Sequence, residues 1–66
     1  MYYNQIKKVR TEQGLTLLKL SNISGVSVGY LCHLEIGSRN NPSIEIMEKI
    51  SKALGKTIME IFFIQK

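Results

Sequence analysis

The 66 residues, 44% of them apolar, are enough for one small globular domain, expected to occupy the whole chain. A lone cysteine rules out an internal disulfide, and nothing approaches the roughly 18 consecutive apolar residues of a membrane span. Nine Lys and Arg against five Glu give a net charge of +4, a mild preference for polyanions. With no signal-peptide pattern in the first ten residues, a cytoplasmic protein with no membrane partner is expected.

Residues 1–4 are short, and Tyr2 and Tyr3 suit an extended strand if a partner exists. Asn4 is placed to cap a first helix over residues 5–13, which Gly14 ends. Ile6, Val9, Arg10 and Gln13 share one face of it, with Lys7, Lys8 and Glu12 mostly outward. Arg10 is the odd member of the inward set, because a long cation is expensive to bury alone. Glu35 is its natural partner; the alternative is two separately solvated charges. Leu15 packs as the chain turns.

Residues 17–24 read as a second helix. The Thr16 hydroxyl can accept an orphan N–H of its first turn. Leu17, Leu20 and Ser24 fall on one face, and Ser21 is small enough to let another helix cross closely. Gly25 suits the left-handed conformation that ends a helix. Val26 plugs the corner, Ser27 is a fresh N-cap, and a third helix over residues 28–36 is closed by Gly37. A helix, a short glycine-containing turn and a second helix form a helix-turn-helix unit. Within the third helix Ser27, Leu31 and Leu34 share the inward face, with Tyr30 at its edge. Val28, Gly29, Cys32, His33 and Ile36 share the outward one.

Residues 38–42 form a polar loop in which Pro42 biases Asn41 towards extended backbone. Ser43 caps a fourth helix over residues 44–54, with Ile44, Met47, Ile50, Ser51 and Leu54 as its inward stripe and Gly55 as its stop. Thr57 and Glu60 make a capping box for a fifth helix over residues 58–63. Ile58, Ile61 and Phe62 can close the core. Phe63 and Ile64 are left over. Either the tail folds back on Tyr2 and Tyr3 as a short antiparallel strand pair, or it meets another copy in a homodimer; otherwise Phe63 only caps the monomer core.

The pattern Thr16-x-x-x-Leu20-Ser21-x-x-x-Gly25-Val26-Ser27-x-x-x-Leu31-Cys32-x-Leu34-Glu35-x-Gly37 resembles the phage Cro/cI repressor family of DNA-binding domains, the XRE family, with the resemblance running from Ile6 through Phe62. It implies an all-α, compact five-helix, lambda-repressor-like domain. It also implies a transcriptional regulator, a repressor, that binds double-stranded DNA as a homodimer on a near-palindromic operator. The pairing of Arg10 with Glu35 occurs at the matching places in some members. Leu17 departs from the pattern, standing where the family usually has Gln, and the loop after Gly37 is one residue longer than the commonest form.

On that resemblance, the outward face of the third helix enters the major groove. Phosphates are met by backbone N–H groups at helix starts and by cations. The candidate contacts are Thr16, Leu17, Lys19, Ser27, Arg39, Asn40 and Asn41 at the strand backbone, with Val28, Cys32 and His33 at the base edges; Gly29 either permits close approach to the backbone or is an ordinary tolerated glycine. His33 can donate or accept, and Val28 and Cys32 can meet a thymine methyl. Tyr30 either reaches a phosphate or packs sideways. The bidentate Arg, Gln and Asn readers are missing from this face, which puts weight on methyl contacts, DNA shape and half-site spacing.

Catalysis is not expected. The chain has no Asp, and its only His and Cys are adjacent, about 100° apart around a helix. No phosphate-binding loop, metal-ligand cluster or cofactor motif appears. The rival reading is a protein-interaction module or antitoxin that uses the same fold to hold a regulatory protein partner, through Leu17, Leu18, Ile23 and Ile36. Oxidation of Cys32 is a conceivable switch, although a lone Cys is more commonly an inert apolar residue.

Overall fold

The computed structural model describes residues 4–37 and 42–63. Five helices follow in order: α1 Ile6–Glu12, α2 Leu17–Ser24, α3 Val28–Ile36, α4 Ile44–Leu54 and α5 Ile58–Phe62. No strand occurs among the described residues, and Tyr2, Tyr3 and Ile64, on which a terminal strand pair would depend, lie outside them. No helix among the described residues is long and apolar enough to cross a membrane.

Local chemistry sets most of the boundaries. Thr16, Ser27, Ser43 and Thr57 each hold extended backbone and accept a backbone N–H from three residues on, at 3.0–3.2 Å. Each cap satisfies one of the donors that a helix start leaves orphaned. At Thr57 the box is complete, since the Glu60 carboxylate accepts the Thr57 N–H at 2.8 Å. Gly25 and Gly37 end α2 and α3 with φ near +80°, a conformation that a Cβ disfavours.

α1 is one residue shorter at each end than the expected 5–13. Gln5 holds the N-cap position without a side-chain cap. Asn4 acts from one residue earlier, its Oδ1 accepting the Ile6 N–H at 2.9 Å. α5 ends at Phe62, and Phe63 is its half-exposed C-cap.

Every helix contributes to one core. Ile6, Leu20, Leu31, Leu34, Ile50 and Ile61 are fully buried, and Val26, Met47, Leu54 and Phe62 nearly so. Val26 fills the corner between α2 and α3, as its position just after the helix-ending glycine requires. The inward stripe of α4 differs from the expected one at its start. Ile44 is 59% exposed, while Ile46 packs against the core instead. Ile44 has the right angular position but sits in the first turn, before the neighbouring helices cover the stripe.

Candidate nucleic-acid interface

Two fully buried leucines, Leu31 and Leu34, hold α3 against the core. The opposite side faces out: Val28, Gly29, His33 and Ile36 are exposed, Ile36 to 69%. Cys32 is half-buried, so it contributes less of this surface than the spacing alone suggests. Tyr30 packs partly against the core at the edge of the face, as does the Leu17 side chain at the start of α2. At Gly29 nothing lies within 4 Å of where a Cβ would stand, so this glycine is not demanded by packing inside the chain.

The starts of α2 and α3 flank this face. Thr16 and Ser27 use their hydroxyl oxygens as acceptors for the Lys19 and Tyr30 N–H groups. A hydroxyl carries one donor besides its lone pairs, so each remains able to donate to an anion. Both side chains are exposed, as is Lys19. Arg39, Asn40 and Asn41 lie outside the described residues. Among the described residues no group of acidic, His and Cys side chains could hold a metal ion.

Behind the face, the orientation of α3 is fixed by polar contacts to α1. Arg10 Nε donates to Glu35 Oε2 at 2.8 Å and Arg10 Nη2 to Glu35 Oε1 at 3.1 Å, with the two side chains only 12% and 6% exposed. Arg10 Nη1 also donates to the Leu15 carbonyl at 2.8 Å. The fork thus ties α1, the α1–α2 turn and the last turn of α3 together. Its hydrogen bonds to Glu35, opposed by partial desolvation, raise the Arg10 pKa beyond its already high ordinary value.

One anchor has no signature in the sequence. Asn4 Nδ2 donates to the Leu34 carbonyl at 3.0 Å, one residue from Glu35. An Asn before a helix reads as a cap, and nothing in its spacing announces a second bond to a helix 30 residues away. Gln13 is similar, donating through Nε2 to the Leu54 carbonyl at 2.7 Å and joining the end of α1 to the end of α4.

Comparison with known proteins matches this architecture. A helix-turn-helix family model covers residues 6–61. The HTH-type transcriptional regulator SinR of Bacillus subtilis (strain 168) is 36% identical over 58 residues, 88% of this chain and 52% of SinR. The chain therefore spans about half the length of that regulator. A crystal structure of SinR, the master regulator for biofilm formation, in complex with DNA superposes with a TM-score of 0.79 at 37% identity, covering 82% of this chain and 86% of that one. A SinR–SinI protein complex gives a TM-score of 0.79 at 36% identity, covering 83% of this chain and 53% of that one. A buried α2–turn–α3 corner, helix starts capped beside an outward α3 face, and these likenesses lead to one assignment: the chain belongs to the helix-turn-helix family, in its Cro/cI-type (XRE) branch.

Proposed function

We propose that the chain binds double-stranded DNA sequence-specifically and regulates transcription, acting as a repressor, with α3 laid in the major groove. The carrying observation is the two-sidedness of α3: fully buried Leu31 and Leu34 behind, exposed Val28, Gly29, His33 and Ile36 in front. Such a surface, backed rigidly and flanked by helix starts, is what groove readout requires. Val28 and the accessible part of Cys32 meet thymine methyls, and His33 meets a purine edge. Thr16, Ser27, Lys19, Tyr30 and the N–H groups at Leu17 hold the phosphates, with Arg39, Asn40 and Asn41 as further phosphate contacts. The net charge of +4 supports the same reading. A homodimer, with Phe63 and Ile64 as its candidate contacts, would place two α3 helices on half-sites about 34 Å apart.

Selection of bound sequences from a random duplex pool tests this directly. The expected result is a near-palindrome with half-sites one helical turn apart. Binding should fall steeply with salt, by about 10³-fold or more between 50 and 200 mM if six or more phosphates are neutralised, and weaken in Arg39→Ala. No enrichment, or binding indifferent to salt, would sink the proposal.

A second reading has its own support. Leu18, Ile23 and Ile36 are exposed apolar side chains on the helix-turn-helix unit, and the SinR relative occurs in a complex with SinI. A regulatory protein could dock on such side chains. Salt-insensitive capture of a protein, unaffected by Arg39→Ala, would favour that role over DNA binding.

A further inference from the structure

A groove of about 460 Å³ runs between α1 and α5, on side chains that the helix-turn-helix unit does not use. Its apolar part is Val9, Met59 and Phe63, with Met59 60% and Phe63 50% exposed. Lys8 and Glu12 rim it from α1, and Lys56 and Glu60 from the α5 side. None of these four forms an ion pair among the described residues, where the pairs are Arg10–Glu35 and Lys49–Glu45. Two lysines and two glutamates cancel, so the rim formed by the described residues is neutral and the +4 of the chain comes from other residues.

The rim charges are arranged in a particular order. The Gln5 N–H donates to the Ile61 carbonyl at 2.8 Å, and Gln13 Nε2 donates to the Leu54 carbonyl at 2.7 Å. Residues 5–13 therefore run antiparallel to residues 54–61. Lys8 and Glu60 lie towards one end of the groove, and Glu12 and Lys56 towards the other. Lys8 and Glu12 stand four residues apart in α1, and Lys56 and Glu60 four residues apart across the start of α5, so each wall carries one positive and one negative side chain.

A surface built this way is complementary to itself. With a two-fold axis across the helices, α1 faces α1 of a second copy in reverse, setting Lys8 against its Glu12 and Lys56 against its Glu60. With the axis along the helices, α1 faces the second copy's α5, setting Lys8 against its Glu60 and Glu12 against its Lys56. Both arrangements stack the apolar floor on itself and leave no like charges opposed. Isologous contacts demand this self-complementarity, which a polyanion would not recognise. We propose that the α1–α5 groove is the face through which two copies of this chain associate. The proposal rests on the homodimer reading above and extends it from Phe63 to a defined surface with α1 as half of the contact.

Sedimentation equilibrium of the full chain without DNA tests the proposal. The wild type should self-associate reversibly. Lys8→Glu combined with Lys56→Glu makes the rim wholly acidic and should weaken self-association about tenfold or more. Mixing that variant with Glu12→Lys should restore a heterodimer, an outcome that loss of folding could not produce. Met59→Glu should weaken association similarly, with helical circular dichroism unchanged. A wild type that stays monomeric would overturn both this proposal and the homodimer reading. A dimer indifferent to the rim variants and to Met59→Glu would overturn the groove alone. Duplex binding, measured separately, bears on neither result.

Discussion

Replacing Glu35 by Leu would leave the Arg10 guanidinium among apolar side chains with one acceptor, the Leu15 carbonyl, in place of three contacts. With the two side chains only 12% and 6% exposed, water cannot fully compensate. Breaking a buried pair from one side costs roughly 3–5 kcal/mol. A domain of this length has about 3–10 kcal/mol of total stability. Glu35→Leu or Arg10→Met alone should therefore remove about a third of that stability or more. The double variant, which removes both charges, should recover most of the loss. Urea denaturation followed by circular dichroism gives the three free energies, and the cycle isolates the coupling, expected at about 2 kcal/mol or more. The raised Arg10 pKa means that the arginine's share is complete below its unfolded value and is lost only as pH rises through the still higher folded value. Nothing from that side should change near neutrality. Single variants costing less than about 1 kcal/mol, and additive, would show that the two charges are merely solvated neighbours and would refute the argument.

Four further outcomes follow from the same geometry. Gly29→Ala meets open space and gains helix propensity, so melting should rise by up to about 1 kcal/mol, or about 4–8 °C; weaker duplex binding in that more stable protein would mark Gly29 as a point of close DNA approach. Ser51 buries a hydroxyl with no hydrogen-bond partner among the described residues, so Ser51→Ala should be neutral or stabilising by up to about 1 kcal/mol in thermal melts, and a clear loss would mean that the hydroxyl is satisfied. Asn4→Ala loses the bonds to the Ile6 N–H and the Leu34 carbonyl and should cost about 1–2 kcal/mol; Asn4→Asp, which keeps the acceptor and loses the donor, should fall between the two in the same melts. The backbone N–H and hydroxyl of Thr57 lower the Glu60 pKa, so the capping box adds stability above the unfolded glutamate value, about 4.3, that fades as pH falls through the lower folded value; Glu60→Gln should flatten that part of an acid titration followed by circular dichroism.

The sequence by itself determined the features whose physics is local. A hydroxyl cap bonds to an N–H three residues on, and a left-handed glycine needs only its own backbone, so Thr16, Gly25, Ser27, Gly37, Ser43 and Thr57 placed the helix ends before any packing was known. Helical periodicity likewise divided α3 into the side of Leu31 and Leu34 and the side of Val28, Gly29 and His33. Tertiary structure decided what depends on how one helix meets another. It put Ile46 rather than Ile44 against the core, half-buried Cys32, and left the side chain of Leu17 packed inward. It also gave Asn4 and Gln13 second partners 30 and 41 residues away and set the charges of α1 and α5 along one groove. Periodicity fixes an angle around one axis. Depth, reach and facing charges require the distance and crossing angle between two axes, and those exist only once the core has closed.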